Sequence, residues 1–216
     1  GRLAIDVAPM RLQDTVRDVV DLLEPLATQK GLRFEQRLGP DLPEWIEADA
    51  PRVKQVLLNL IGNAIKFTVH GEVSLSIERR AAQLEFLVRD TGIGIPADQV
   101  ERIFKAFEQV ASPGSAEHRS GTGLGLTISR ELAQAMGGDV ACLAAVGPGT
   151  VFRFTLPCRP CPAPPQAADT PAADLPRLSG RVLVAEDSPV NAMIARTMLE
   201  RMGLAVDLAD DGHMAL

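Results

Sequence analysis

At 216 residues the chain has room for one domain of ordinary size and a smaller piece. A hydrophobic share of 46% allows a substantial core, yet no apolar run nears the roughly 18 residues of a bilayer span and no signal peptide is visible. The formal net charge of −6, with Lys and Arg scattered, argues against nucleic acid as a partner.

Three cysteines, Cys142, Cys158 and Cys161, are too few for a disulfide framework and fit a reducing, cytoplasmic setting. Cys158 and Cys161 form a CxxC within PCRPCPAPP, but no second pair accompanies it, so linker is the better reading than metal site. The chain begins at Gly1 rather than Met, which reads as excision from a longer protein, either soluble or anchored in the inner membrane.

Leu12, Val16, Val19, Val20, Leu23, Leu26 and Ala27 follow helical spacing, with Gly31 just past the end. An alternating segment at 32–38 predicts a strand. A helix over about 50–67 follows, with Asp49 as N-cap and Pro51 in its first turn. Its apolar face is Val53, Val56, Leu57, Leu60, Ile61 and Ala64. Opposite them Arg52, Gln55, Asn59, Asn63 and Lys66 recur every three or four residues. At about 100° per residue they share a sector of roughly 80°. A solvated stripe would favour Glu, Lys and Arg, whereas Asn is a weak helix former. Apolar flanks also predict partial burial, so the amides need partners. An Asn carbonyl is a hard oxygen ligand suited to Mg²⁺, and Lys66 one turn on suits phosphate.

Strands are predicted at 73–77 and 84–89. The second runs into DTGIGI (90–95), where a carboxylate at a strand end precedes Gly92 and Gly94, which let a ligand approach closely. An aspartic protease would need a second DTG to share its proton, and there is none. Next comes SGTGLGLTISRELAQAM (120–136), glycines entering a helix predicted over about 124–136 and closed by Gly137 and Gly138. Exposed N–H groups and the helix dipole make such a start a phosphate site. It is no P-loop, because Lys-Ser or Lys-Thr does not follow the glycines. The polar loop before it, EQVASPGSAEHR, is long enough for a lid. A strand at 151–156 places Phe152, Phe154 and Leu156 on one face. The mixture predicts an α+β fold, a two-layer sandwich of one mixed sheet covered by helices.

Residues 158–179 are rich in Pro and Ala and read as a semi-rigid spacer between a domain at 1–157 and a piece at 180–216. That piece reads as a strand ending in Glu186 and Asp187, a helix, and a second strand, the two strands pairing in parallel.

In order, NLIGNAIKFT, DTGIGIP, IFKAFEQ (103–109) and GTGLGL resemble the N box, first glycine box, F box and second glycine box of sensor histidine kinases. These share a Bergerat-type ATPase superfamily, also called GHKL, with gyrase, the ninety-kilodalton heat-shock chaperone and the mismatch-repair protein. MGGDVACLAAVGPGTVFRFTLP (136–157) resembles the closing strands. The resemblance implies cofactors, ATP and Mg²⁺, and roles for residues. Asn63 would hold Mg²⁺, with Asn59 nearby and Lys66 on phosphate, Asn63 and Lys66 being the catalytic pair. Asp90 would bind the adenine amino group with Thr150 close by, and Gly92 and Gly94 would flank the base. Gly121, Thr122, Gly123, Leu124 and Gly125 would form the phosphate loop, and Phe104 and Phe107 would anchor the lid. Ser120 stands where glycine is common, and His70, His118 and His213 match nothing catalytic.

The hydrolytic relatives carry a glutamate where this chain has Asn59, which is no general base. The resemblance thus implies transfer of the γ-phosphoryl group to a histidine on a separate dimerisation hairpin. The alternatives are a GHKL-type ATPase and a non-catalytic module that uses ATP to control partner contacts. Residues 180–216 resemble the start of a response-regulator receiver, with Glu186 and Asp187 as an incomplete, weak cation site and the phosphoacceptor strand beyond it. Together these imply a hybrid kinase parent, homodimeric, acting on receiver or histidine phosphotransfer proteins.

Overall fold

The computed structural model describes residues 4–108, 123–143, 149–164, 178–186 and 189–209. The described residues form two compact units that meet in sequence between Ala163 and Pro164.

The first unit begins with β1 (Ala8–Arg11) and α1 (Leu12–Gln29). Helix α1 buries Val16, Val19, Val20 and Leu23 and continues through Pro25, which is on its exposed side. It stops where Gly31 turns left-handed at φ 75°, and Leu32 N–H closes the end on Ala27 O at 2.9 Å. Then follow β2 (Arg33–Leu38), β3 (Trp45–Ala48) and α2 (Ala50–Phe67). As expected, Asp49 caps α2 by accepting the Arg52 N–H at 3.1 Å, and its other oxygen accepts Asp6 N–H at 2.9 Å. The remaining elements are β4 (Glu72–Arg80), β5 (Gln83–Asp90), α3 (Gly125–Ala135), β6 (Asp139–Leu143) and β7 (Val151–Pro157).

Five strands form one sheet in the order β2-β4-β5-β7-β6. Strand β2 runs parallel to β4 and every other pair is antiparallel. The register aligns Ile77, Phe86, Phe154 and Val140 across four strands, all fully buried. Phe86 and Phe154 stack with centroids 5.1 Å apart. Period-2 alternation therefore gives one apolar face, and α1, α2 and α3 lie over it. This is the two-layer α+β sandwich with a mixed sheet that the sequence predicts.

The end of this unit differs from expectation. Residues from 158, expected to begin the spacer, instead continue along β3. Cys158 N–H bonds Ala82 O at 2.8 Å, Glu47 N–H bonds Arg159 O at 2.9 Å, and Cys161 N–H bonds Trp45 O at 3.1 Å. The cause is β3, which pairs with β1 on one side and otherwise leaves backbone groups open. Pro160, bridged to Ile46, is tolerated because an edge strand needs no donor outward.

In the second unit β8 (Arg181–Ala185) and β9 (Ala205–Ala209) pair in parallel around α4 (Pro189–Arg201). Leu183, Met198 and Leu208 are exposed, so this small unit buries little of its apolar surface. Among the described residues no helix is long and apolar enough to cross a membrane.

Two outcomes are expected. Phe86→Ala should cost about 3–5 kcal/mol in urea melts followed through Trp45 fluorescence. In hydrogen exchange on the whole chain, amides of 182–208 should exchange far faster than those of 84–90 and 151–156; matching protection would contradict a marginal second unit.

Candidate functional site

Strand β5 delivers Asp90 to the sheet end beneath α2, and the carboxylate is only 4% exposed. Its Oδ1 accepts two backbone N–H groups, from Gly92 at 2.8 Å and Thr150 at 3.2 Å. Burial pushes the Asp90 pKa up, while hydrogen bonds from the Gly92 and Thr150 backbones and the Thr150 side chain hold it down. A carboxylate has capacity beyond these bonds, so Asp90 is built to meet one more donor. Thr150, itself buried, also accepts the Asp90 N–H at 3.0 Å, locking β5 to the start of β7.

The turn after Asp90 rests on the last turn of α2, where Ile93 N–H reaches Phe67 O at 3.4 Å. Gly92 lies against the same carbonyl, and Gly94 is left-handed at φ 73°. The polar stripe therefore ends beside the Asp90 turn. Asn59, Asn63 and Lys66 are half-buried, as expected, but Gln55 is exposed. Gln55 instead accepts from Arg52 Nη1 at 3.0 Å, so the stripe divides into a solvent half and a site half. Asn63 Nδ2 donates to Asn59 Oδ1 at 3.4 Å, and Asn59 Nδ2 donates to Ser129 Oγ at 2.8 Å. Lys66 Nζ lies 5.3 Å from the Phe67 ring centroid. Lys30 holds the C-terminus of α2, donating to Ile65 O at 2.7 Å and Lys66 O at 2.8 Å.

Helix α3 closes over this amide pair. At Gly125 an added Cβ would stand 2.5 Å from Asn59 Oδ1, so only glycine lets the two helices approach this far. Leu124 precedes it at the helix N-cap, and Gly123 is left-handed at φ 68°. Phe104 is buried, edge-on to Phe152 at 6.5 Å and under the Arg130 guanidinium at 4.7 Å. Thr127 Oγ1 donates to Phe104 O at 3.0 Å, tying this segment to α3. Phe107 differs: its N–H bonds Gly123 O at 3.2 Å, but its ring is 75% exposed. Of the two expected lid anchors, Phe104 is seated in the core and Phe107 is held by its backbone. The loop before the glycines, with His118, Ser120, Gly121 and Thr122, lies outside the described residues. Asp187 and His213 do too, whereas Glu186 joins the strand pair through its N–H on Ala209 O at 3.0 Å. Among the described residues no cluster of His, Cys, Asp and Glu has metal-site geometry.

Three participants escape sequence reading. Ser129 is 2% exposed and holds Asn59, a partnership that only tertiary packing creates. At Gly149 a Cβ would fall 2.0 Å from Asp90 O, which fixes the approach of β7 to β5. Cys142 pairs with Phe152 across the sheet and is half-buried. Burial, and then the nearby Asp90 charge, push its thiol pKa up to about 11, which favours the neutral thiol. Alternation along β6, Val140 then Cys142, was the available signal for that orientation.

Residues 48–160 match the family of histidine kinase-, DNA gyrase B- and HSP90-like ATPases. The chain belongs to this family. The aerobic respiration control sensor protein ArcB of Escherichia coli (strain K12) is 36% identical over 220 residues, taking in 100% of this chain and 28% of ArcB. The chain therefore spans little more than a quarter of that relative. Full-length ShkA, solved in complex with AMPPNP, superposes with a TM-score of 0.66 at 31% identity, covering 100% of this chain and 43% of ShkA. The catalytic domain of the histidine kinase ThkA, nucleotide free, gives 0.61 at 30% identity, over 72% of this chain and 99% of that domain. ThkA has also been solved in complex with the response regulator protein TrrA, at 0.59 and 28% identity over 72% of this chain and 43% of that one.

The raised Asp90 pKa sets a pH dependence. A carboxyl whose folded pKa exceeds its unfolded value gives stability below the unfolded pKa and loses it as pH rises through the folded one. Asp90→Asn removes the buried charge and keeps an oxygen for Gly92 and Thr150. The variant should therefore melt no lower than the parent near neutral pH, with a flatter pH profile below it. A clear drop in melting temperature at neutral pH would contradict this account of Asp90.

Proposed function

We propose that the first unit binds Mg²⁺-ATP and donates the γ-phosphoryl group to a histidine on a separate dimerisation hairpin. The observation that carries this reading is Asp90, a buried carboxylate held by two N–H groups with capacity left for one more donor. The exocyclic amino group of adenine is such a donor. Ionised Asp90 accepts it, and Thr150 and Gly92 keep the carboxylate oriented. The AMPPNP bound to ShkA is an ATP analogue, and it supports ATP as the ligand here.

The amide pair fits a divalent cation on the triphosphate. Asn63 and Asn59 carry neutral hard oxygens one turn apart on α2, and Gly125, having no side chain, packs directly against Asn59 Oδ1. Magnesium, when bound, would offset phosphate charge and align the terminal phosphoryl group. Lys66 would meet phosphate oxygens, and the backbone N–H groups around Gly123, Leu124 and Gly125 would complete the cradle. Asn59 disfavours hydrolysis, since an amide bonded to Ser129 and Asn63 takes no proton from water.

The second unit supports assignment as the first part of a receiver domain, through its parallel strand pair around one helix. On this reading the chain holds a nucleotide-binding unit ending near Ala163, where the first compact unit ends, then a spacer and a receiver fragment from about 180. The parent would be a cytoplasmic or inner-membrane-anchored homodimeric hybrid kinase, passing phosphoryl groups to receiver or phosphotransfer proteins.

Two measurements test this. In calorimetry Asn63→Ala should weaken ATP binding in magnesium, by on the order of ten- to a hundredfold, and change it little in EDTA. Unchanged affinity under both conditions would remove the metal role. With γ-labelled ATP the chain should stay unlabelled until a matching histidine hairpin is added, and then pass label to that histidine, releasing ADP. Acid-labile label on His70, His118 or His213 of the chain alone would contradict it.

A further inference from the structure

Ser129 is among the few polar side chains buried in the first unit, and it is 2% exposed. It stands one turn beyond Gly125 on α3, so the two share a helix face. That face is the one against Asn59. Gly125 meets Asn59 Oδ1, where a Cβ would be 2.5 Å away, and Ser129 Oγ accepts from Asn59 Nδ2 at 2.8 Å. An interior serine adds nothing to helix propensity, since alanine is the better helix former. Its value must lie in the contact.

An amide side chain has two nearly isosteric ends of opposite function, a carbonyl acceptor and an N–H₂ donor. Left without a partner, the Asn59 amide can rotate by a half turn and present either end to its surroundings. In the structure the Ser129 oxygen takes the nitrogen, and the Asn63 N–H group takes the oxygen. The oxygen is thereby turned toward Asn63 Nδ2, 3.4 Å away, and packs against the Gly125 backbone. An inverted amide would face the Asn63 amide nitrogen with another donor.

We propose that Ser129 is a positioning residue that holds the Asn59 amide with its oxygen toward Asn63, the residue proposed to hold the cation. The hydroxyl touches neither nucleotide nor metal and acts through Asn59. The inference rests on the proposed Mg²⁺-ATP site, and it adds a third helix residue that sets how well that site takes a cation. It also makes the closing of α3 onto α2 a condition of metal affinity, because one helix face carries both Gly125 and Ser129.

The test is calorimetric titration of the full chain with ATP, in magnesium and in EDTA, for the parent, Ser129→Ala, Asn59→Ala and the double variant. Ser129→Ala is expected to weaken binding roughly three- to tenfold in magnesium and to leave it unchanged in EDTA. On the Asn59→Ala background the same change should have no further effect, since the partner is already gone. Ser129→Thr, which keeps the hydroxyl, should recover the magnesium-dependent affinity. Losses equal in magnesium and EDTA, or additive with Asn59→Ala, would show a packing role and overturn the proposal. If Asn59→Ala itself has no magnesium-dependent effect while Asp90→Asn abolishes binding, the proposal fails and the nucleotide site stands. If the parent binds no ATP, the underlying reading fails first.

Discussion

A carboxylate taken out of water must be met by donors or give up its charge, and Asp90 meets that demand at the end of β5. Two backbone N–H groups arrive from opposite directions, Gly92 from the turn that follows and Thr150 from the start of β7. Neither could arrive if the strands were placed otherwise. The Gly149 backbone must approach within a distance that any side chain would block, and the turn must rest on the last carbonyl of α2. The same bonds that make the buried charge tolerable orient its remaining acceptor capacity. Burial still raises the pKa, so the protein gives up stability to keep an acceptor there.

The amide pair on α2 is a second, weaker case of the same logic. Asn63 bonds Asn59 and Asn59 bonds Ser129, and the whole arrangement depends on how closely α3 approaches. Phe104 secures that approach through Phe152, Arg130 and Thr127. Sheet, α2 and α3 thus converge on one region, each through a contact that is intolerant of substitution.

Much of this was legible in the sequence because local chemistry and long-range packing agree there. Asp49 caps α2 for reasons its own neighbours supply, and Phe152, Phe154 and Leu156 alternate because one sheet face is dry. Asp90 stood out as an acid at a strand end followed by glycine. What escaped was set by distant partners. Strand β1 and strand β3 are four residues each, too short for periodicity, and they pair across 34 to 40 positions of sequence. Residues 158–161 have spacer composition yet are recruited as an edge strand by β3. Gln55 shares its helix sector with Asn59 but lies beyond the cover of α3, so the stripe is not uniformly buried. Ser129 looks like any serine in a helix until α2 is laid against it.

On the proposed reading Asp90, oriented by Gly92 and Thr150, selects a ligand by accepting a hydrogen bond from an exocyclic amino group. Adenine offers that donor, whereas guanine presents a carbonyl oxygen at the corresponding position. Calorimetric titration of the chain with ATP and GTP, each with magnesium, therefore separates recognition of the base from attraction to triphosphate. The account predicts clear ATP binding and GTP binding weaker by at least about a hundredfold, because two acceptors would face each other in a buried site. Equal affinity for the two nucleotides would contradict it.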